Sequence, residues 1–314
     1  MTLSIYMHPD CELHTMGEQH PESPQRLRAI REHLAEAGLA ELISPTETPL
    51  ATIDQIQQTH RYYYIETLLE KEVWLKQRLD QGEIGPEVQL DPDTLLMEHS
   101  WRAALRAAGS GIAAVDAVMQ KEQMRVFCAV RPPGHHAVLD GAMGFCILNN
   151  IAIAAHHALE QHGLDRVVIV DFDVHHGNGT ENIVEGDERI RLYSSYQSNH
   201  YPFPDKDAAK PNVIHTPLPR GAEGLLFREA TAAWLEDIES FQPRLILISA
   251  GFDAHREDPL AQLNLDESDY RWISEELVKL ANRHTRGRIV SMLEGGYNLS
   301  ALGRSVVAHL QALL

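Results

Sequence analysis

Acidic and imidazole side chains crowd together at the end of one apolar run in this chain. The run at residues 167–170 predicts a buried strand, and the segment DFDVHHGNGT follows it directly at residues 171–180. Asp173 and His175 are two positions apart on extended backbone, so their side chains point to one face and can reach the same ion. Asp171 shares that face. Carboxylate oxygens and imidazole nitrogens are ligands that zinc accepts, and the pattern therefore predicts a metal site.

Two further apolar runs end in residues of the same kinds. RPPGHH at residues 131–136 follows the run at 126–130, and Asp253 follows the run at 245–248. Open α/β sheets bind their ligands at the carboxyl ends of strands, so Asp253 can complete a three-ligand set. A catalytic zinc site keeps its remaining position open for water or substrate. Two carboxylates and one imidazole acidify that water less than three imidazoles would, which makes a separate general base useful.

His135 and His136 are the candidates for that base, because the tight Pro-Pro-Gly turn before them can hold both above the metal. One imidazole can take a proton from the attacking water, while its neighbour stabilises developing charge. Tyr297, in the segment LEGGY at residues 293–297, offers a phenol to the oxyanion on a loop that two glycines would make flexible. These groups together predict metal-assisted hydrolysis of an amide.

The elements that must position these residues alternate along the chain between short apolar strands and helices. This alternation predicts a parallel sheet covered by helices on both faces. Strands are predicted at residues 3–7, 126–130, 167–170, 190–194, 213–217, 245–249 and 289–293, and helices at 25–37, 100–120, 148–161, 180–185, 224–241, 267–282 and 299–313. Residues 80–93 are predicted as a long exposed loop and residues 201–211 as a proline-rich loop. No Gly/Ser/Pro-rich linker divides residues 1–314, so we expect one catalytic domain.

Composition excludes several classes of protein. With 27 Lys and Arg against 45 Asp and Glu, the net charge of −18 argues against nucleic-acid and anionic-membrane partners. Three cysteines without a C-x-x-C pair indicate a reducing compartment, and Cys146 is either a buried small hydrophobe or a reactive thiol. Residues 1–10 lack the basic region and the long apolar region of a signal peptide, and no stretch approaches the ~18 apolar residues that a membrane helix needs. We expect a cytoplasmic protein, whose oligomeric state the sequence leaves open.

The motifs resemble those of the zinc-dependent histone deacetylases and the bacterial deacetylase-like amidohydrolases. They occur in order as HPESPQR at residues 20–26, RPPGHHA at 131–137, GFCILN at 144–149, DFDVHHGNGT at 171–180, SAGFDAH at 249–255 and LEGGY at 293–297. The resemblance implies an α/β arginase-like fold with a parallel, mostly eight-stranded sheet covered by helices on both faces. It also implies hydrolysis of an N-acyl amide, usually acetyl, on a lysine side chain, a polyamine or another small amine.

The resemblance assigns roles position by position. It implies zinc ligation by Asp173, His175 and Asp253, and it implies catalytic roles for His136 as general base, His135 as its electrostatic partner, Tyr297 as the carbonyl-polarising phenol and Asp171 as the carboxylate behind His135. A structural potassium ion is implied at Asp171, Ser194 and Ser195. Substrate contacts are implied for the tunnel residues Gly144 and Phe145, for Phe203 as the opposite wall, and for Arg26 on the acetate exit route.

Two positions bear on the branch of the family and on the substrate. Asn178 stands where class I enzymes carry an Asp behind His136, which makes the chain class II-like and should leave His136 less basic. Leu260 falls where polyamine-selective relatives place an acidic gatekeeper, and leucine cannot recruit a secondary ammonium. The prediction therefore favours acyl-lysine or small acylated amines as substrates. Asp91 or Asp93 could hold substrate backbone at the rim.

Two alternative functions remain open at the level of sequence. A ureohydrolase of the same fold would need two manganese ions and more carboxylates, which Asn178 and the lack of acidic residues clustered after Asp253 disfavour. A catalytically idle acyl-lysine reader or scaffold is disfavoured by the intact Tyr297 and by the two histidines. The remaining histidines are predicted to be ordinary surface or packing residues, namely His156, His157, His162, His200, His215, His255 and His284.

Overall fold

The computed structural model describes residues 3–44, 48–204 and 210–314. Its strands are β1 (Leu3–Tyr6), β2 (Val88–Asp91), β3 (Thr94–Leu96), β4 (Arg125–Cys128), β5 (Val167–Asp171), β6 (Ile190–Gln197), β7 (Val213–Leu218), β8 (Leu245–Ala250) and β9 (Ile289–Leu293). Its helices are α1 (Pro9–Leu13), α2 (Gln25–Glu36), α3 (Ile53–Gln57), α4 (Tyr62–Asp80), α5 (Ser100–Met119), α6 (Asn150–Glu160), α7 (Asn178–Val184), α8 (Gly224–Phe241), α9 (Glu267–His284) and α10 (Leu299–Leu313).

Seven strands form the main sheet in the order β1-β4-β9-β8-β5-β6-β7, and every neighbouring pair is parallel. All residues of β4, β5, β8 and β9 are buried, as expected for parallel strands covered on both faces. Two groups of helices lie around the sheet, one formed by α5 and α6 and the other by α2, α10, α9 and α8. The central strands β9, β8 and β5 therefore provide a rigid base for the loops that leave their carboxyl ends.

This architecture confirms the predicted α/β class with a mostly parallel sheet. The described residues place seven strands in that sheet, the seven that hydrophobic patterning predicts, rather than the eight that the family resemblance implies. The segment predicted as a long exposed loop, 80–93, is in part ordered differently: α4 extends to Asp80, and β2 pairs antiparallel with β3. This hairpin forms because Val88 and Leu90 pack, with the buried Leu96, on a second apolar cluster.

Helix α4 is the largest element that sequence patterning left out. It buries Tyr64, Ile65, Leu68 and Leu75, which are spaced to lie along one side of a helix, while large apolar side chains such as Trp74 remain exposed on the other side. Because apolar residues occur on both sides of α4, its sequence lacks the clear 3.6-residue period that identifies an amphipathic helix. Of the described helices, none is both long enough and apolar enough to cross a lipid bilayer.

Candidate metal centre

The predicted ligands come from two strands that are neighbours in the sheet. Strands β5 and β8 pair in register up to Asp171 and Ser249, so the loops that follow them leave the sheet side by side. Asp173 and His175 lie on the first loop and Asp253 lies on the second. One ligand atom from each of the three residues falls within 4.8 Å of the others, and all three side chains are buried. The structure therefore brings together the three residues that the sequence predicts as ligands.

The donor set fits a divalent cation. Nδ1 of His175 lies 3.0 Å from Oδ1 of Asp173 and 3.2 Å from Oδ2 of Asp253. Backbone N–H groups donate to the other oxygens: Gly295 to Asp173 Oδ2 at 2.8 Å and Val174 to Asp253 Oδ1 at 2.9 Å. Oδ2 of Asp253 is buried without a hydrogen-bond donor. A buried carboxylate oxygen without a donor is costly unless a cation binds it, and a zinc ion accepts this set of ligands.

Burial and the neighbouring carboxylate act together on Asp253. They raise the pKa of its carboxyl group to about 7, with burial as the larger cause and the charge of Asp173 as the next. The two buried carboxylates repel each other, and a bound dication would relieve that repulsion.

Two glycines permit the close approach of the loops. A Cβ at Gly251 would lie 2.1 Å from Oδ2 of Asp173, and one at Gly295 would lie 2.1 Å from Oδ2 of Asp253. Real Cβ atoms do not approach carboxylate oxygens so closely. The glycine before Phe252 and the first glycine of LEGGY thus make room for the ligand carboxylates.

His135 and His136 lie together, with ring centroids 4.0 Å apart, on the loop after β4. Nδ1 of His135 donates to Oδ2 of Asp171 at 2.9 Å. Burial lowers the pKa of His135, but the carboxylates of Asp171, Asp173 and Glu294 outweigh it and raise that pKa well above its usual value. His135 thus carries its charge beside a buried carboxylate, in the place predicted for the electrostatic partner.

His136 has a neutral hydrogen-bond partner. Its Nδ1 lies 2.7 Å from Oδ1 of Asn178, an oxygen that can only accept, so Nδ1 carries the proton and Nε2 is the basic nitrogen. Burial, followed by the positive charges of His135 and His175, lowers the pKa of His136 well below its usual value. An imidazole that stays neutral is able to accept a proton from water.

Glu294 holds in place the loop that carries His135 and His136, called here the two-histidine loop. The motif LEGGY predicts a role only for Tyr297 and none for this carboxylate. Its Oε2 accepts hydrogen bonds from the backbone N–H groups of Gly134 at 2.7 Å and His135 at 3.1 Å, and its Oε1 accepts one from Ser249 Oγ at 3.1 Å. One fully buried carboxylate at the end of β9 thus joins the loop after β4 to strand β8. The position of Glu294 directly after an apolar strand is the sequence feature that could have identified its role.

A cavity of about 200 Å³ opens above the ligands. Its walls are formed by Asp93, His136, Gly144, Phe145, His175, His200, Tyr201, Leu260 and Tyr297. Asp93, one of the two predicted rim residues, accepts a hydrogen bond from Gly144 N at 3.1 Å, and Thr94 Oγ1 accepts one from Phe145 N at 3.0 Å. The β2–β3 hairpin therefore fixes one wall of the cavity.

Only glycine fits at position 144 in this wall. Its φ is +56°, and a Cβ there would lie 2.4 Å from Cδ2 of His136. Phe145 follows with a φ of 70° and places its ring 5.9 Å from the ring of Tyr297. The two tunnel residues predicted from the sequence thus lie beside the predicted base and the predicted phenol.

The opposite wall differs from the prediction. Phe203 does not line the cavity: it lies in a turn closed by its N–H to the carbonyl of His200 at 2.8 Å, has a φ of 57°, and leaves its side chain 72% exposed. Tyr201 and His200 line the cavity instead. The ring of His200 stacks 5.3 Å from that of His175, so this histidine, predicted to be an ordinary surface or packing residue, forms part of the cavity wall. The segment 205–209, within the predicted proline-rich loop, lies outside the described residues.

Tyr297 is held by its neighbours rather than carried on a flexible loop. Its backbone N–H donates to Oδ2 of Asp258 at 2.7 Å, and the carbonyl of Gly295 accepts from Phe252 N at 3.0 Å. The guanidinium of Arg26 lies 5.0 Å from the centre of the tyrosine ring. Burial is the main reason that the pKa of Tyr297 rises well above 10, so the phenol keeps its proton and remains a donor.

Arg26 is fully buried behind Tyr297 and does not line the cavity. Its Nε donates to the carbonyl of Gly296 at 2.7 Å, and one Nη lies 3.2 Å from Glu22. Glu22 also pairs with Arg131 and His14. The first motif therefore supports the Tyr297 loop and the two-histidine loop from below through buried charges.

The residues predicted to bind potassium lie on the far side of Asp171. Ser194 is the register partner of Asp171 in the β5–β6 pair, and Ser195 follows it, both buried.

Cys146 is also buried, and burial raises the pKa of its thiol well above its usual value. Its position and chemistry fit a small hydrophobe rather than a reactive thiol.

Comparison with known proteins gives consistent matches. The sequence profile of the family described as "Histone deacetylase domain" matches residues 20–313. A histone deacetylase-like amidohydrolase of Pseudomonas aeruginosa is 33% identical over 89% of this chain and 73% of its own length. The human protein named polyamine deacetylase HDAC10 is 32% identical over 100% of this chain and 46% of its own length.

The solved structures agree with the sequence matches. The crystal structure of the HDA15 HD domain superposes with a TM-score of 0.91 at 31% identity, covering 100% of this chain and 89% of that one. The chain spans between 21% and 96% of the length of curated relatives that it matches.

Proposed function

The chain belongs to the histone deacetylase family, a family of hydrolytic enzymes, and we propose that it uses one zinc ion to hydrolyse acetyl-lysine side chains or small acetylated amines. The observation that carries the proposal is the convergence of Asp173, His175 and Asp253 beside a cavity that His175 lines together with His136 and Tyr297. A cation site, a base and a phenolic donor face one space of about 200 Å³. A linear acylated amine can enter a cavity of this size with its acyl end toward the ligands.

The protein's own groups can perform the proton transfers. His136, with Nδ1 committed to Asn178, would take a proton from water through Nε2 and return it to the leaving amine. His135, charged through its contact with Asp171, would stabilise negative charge that develops beside it. Tyr297 would donate a hydrogen bond from its phenol to the carbonyl oxygen as that oxygen becomes negative. When bound, a zinc ion at the three ligands supplies Lewis-acid activation of water and of the carbonyl.

The substrate class follows from the walls. Phe145 and Leu260 give the cavity apolar sides that suit the methylene stem of an acylated lysine or amine. Leu260 adds no charge that would select a secondary ammonium, which supports acyl-lysine or simple acylated amines over acetylpolyamines as the preferred substrates.

Activity assays test the proposal. We expect turnover of a fluorogenic acetyl-lysine peptide by zinc-loaded protein, loss of turnover after chelation, and recovery when zinc is returned. A panel of longer acyl groups and acetylated polyamines then ranks the substrates. Zinc-loaded protein that binds these compounds but hydrolyses none would instead support an acyl-lysine reader, and two bound manganese ions with ureohydrolase activity would support that alternative.

Three further features belong to the same proposal. Potassium would bind at Asp171, Ser194 and Ser195, a proposal supported by the register of the neighbouring strands β5 and β6, in which Asp171 pairs with Ser194. The chain would act as one catalytic domain over residues 1–314. Its compartment would be the cytoplasm, without nucleic acid or membrane as a partner, as the acidic composition and the unpaired cysteines favour.

A further inference from the structure

A second cluster of metal-ligating side chains lies on the other side of the loop that carries His175. His176 points away from the active-site cavity, toward Glu181 on α7 and His215 on β7. Nε2 of His176 lies 2.5 Å from Oε2 of Glu181, and Nε2 of His215 lies 3.1 Å from the same oxygen. One ligand atom from each residue falls within 4.8 Å of the others. None of the three takes part in the proposed hydrolysis.

Hydroxyl groups orient both imidazoles from behind. Ser194 Oγ lies 2.9 Å from Nδ1 of His176, and the Tyr196 hydroxyl lies 3.1 Å from Nδ1 of His215. A hydroxyl can accept from Nδ1–H, so each Nε2 can present a lone pair to a cation that takes the place of the hydrogen bond between His176 and Glu181. Histidines that bind metals are commonly fixed in this way, with the second nitrogen held by a hydrogen bond.

The contact of His215 with Glu181 is not an ordinary hydrogen bond. Nε2 of His215 is buried and lacks a hydrogen-bond partner, although Oε2 of Glu181 is only 3.1 Å away, because the geometry is not aligned for donation. Two ligands bound to one tetrahedral zinc at about 2.1 Å lie about 3.4 Å apart, so this separation suits two ligands converging on one ion. His176 is fully buried, while 15% of the Glu181 side chain and 12% of the His215 side chain are exposed. Solvent can therefore reach a fourth position.

From this geometry we propose that His176, Glu181 and His215 bind a second divalent transition-metal cation of the zinc type. The ion joins α7 to β7, an edge strand of the main sheet. It also fixes the residue that directly follows the catalytic ligand His175. Its role is to stabilise this corner of the fold, separate from the hydrolytic chemistry.

A third His and carboxylate cluster in the described part of the chain gives an internal comparison. Nε2 of His157 and Nε2 of His162 each lie 2.7 Å from the same oxygen of Asp116. Nδ1 of His157 is buried without a partner, so nothing orients that ring as a ligand, and the Asp116 side chain is 39% exposed. We expect no tightly bound ion there, and Asp116→Asn serves as the matched control.

Metal stoichiometry tests the proposal. Chelator-stripped protein is reloaded with excess zinc in potassium-containing buffer, freed of unbound metal, and measured by inductively coupled plasma mass spectrometry. We expect two zinc equivalents in the wild type and in Asp116→Asn, and one in Glu181→Gln and His215→Asn. Asp253→Asn should also hold one, because it loses only the catalytic ion. Each of these variants removes one site, so loss of the catalytic ion can be distinguished from loss of the second ion.

Two outcomes would overturn the second site: one zinc equivalent in the wild type that Asp253→Asn abolishes, or loss of the second equivalent in Asp116→Asn but not in Glu181→Gln. A measurement on the wild-type protein keeps the test valid even if a variant at the cluster fails to fold. Cobalt titration of stripped wild-type protein should give visible d–d absorption that saturates at two equivalents; saturation at one would contradict the proposal. Added zinc should also raise the Tm of Asp253→Asn but not that of Asp253→Asn/Glu181→Gln, because only a cation bound to the native state stabilises it.

Discussion

At the scale of single residues, the two adjacent histidines His135 and His136 differ in the group behind each ring. Asp171 is a carboxylate and holds His135 charged, whereas Asn178 is neutral and leaves His136 free to act as the base. The difference separates the two roles that adjacent imidazoles could otherwise exchange.

Replacing Asn178 by Asp should move the acidic limb of the pH profile of kcat/KM upward by about one pH unit. A carboxylate at Nδ1 favours the protonated imidazole, so a higher pH is needed to keep His136 neutral and basic. The comparison is made with wild-type protein at matched zinc content. An unchanged acidic limb would argue that His136 is not the group whose ionisation controls the rate.

Replacing Tyr297 by Phe should lower kcat by about 10²-fold or more while leaving zinc content unchanged, because the phenol contacts the oxyanion and not the metal. Metal analysis and kinetics on the same sample separate these effects. Near-normal turnover in the variant would remove the phenol from the mechanism.

The residue types at the site were the most predictable part of the molecule. Asp173, His175 and Asp253 could be predicted as ligands because side chains of these types, placed directly after apolar strands, serve few other purposes. Tyr201 could not be predicted, since its loop matches no motif and only the folded chain shows which aromatic ring faces the cavity. Phe203, the predicted wall, is turned outward by local backbone geometry that apolar character does not reveal.

At the scale of elements, the loops after β8 and β9 are packed against the metal ligands with no spare volume. Gly251→Ala should therefore reduce zinc occupancy without removing a ligand, because its Cβ would lie 2.1 Å from Oδ2 of Asp173. Gly141→Ala is a fair control, since its Cβ would meet only Val138, at 3.4 Å. Metal content and turnover should fall together in the first variant and stay near the wild-type values in the second. Full zinc occupancy in Gly251→Ala would show that the loop can shift without disturbing the site.

The strands of the sheet were predicted more reliably than the elements between residues 38 and 99. Buried parallel strands are short and wholly apolar, which separates them clearly from their surroundings. Helix α4 and the β2–β3 hairpin carry apolar groups on both sides or in short runs, so their local pattern is ambiguous until the second apolar cluster beneath them is known.

At the scale of the whole molecule, one buried histidine makes stability depend on pH. His309 on α10 is fully buried between Ser274 and Ser291, and burial lowers its pKa to about 3. The native state keeps it neutral, while the unfolded chain protonates it below about pH 6.5. Its contribution is fully present above that pH and is lost as the pH falls toward 3.

We expect His309→Gln to be less stable than the wild type at pH 7 but to lose less of its free energy of unfolding on acidification. Between pH 7 and pH 5 the loss should be smaller by about 2 kcal/mol, since protonation of the unfolded wild type contributes about 1.4 kcal/mol per pH unit below 6.5. Urea denaturation of both proteins at the two pH values measures the difference. Equal losses would mean that His309 does not resist protonation in the native state.

The groups assigned to the hydrolytic site, namely Asp173, His175, Asp253, His136 and Tyr297, follow strands at their carboxyl ends, while described turns that enter strands, such as the one at Gly163, carry none of them. A Cβ at Gly163 would meet nothing within 4 Å. Insertions succeed where the backbone is exposed and makes few contacts. The entering turns are thus the places where a fluorescent reporter could be spliced in, or new termini created by circular permutation, while the chemistry at the opposite rim continues undisturbed.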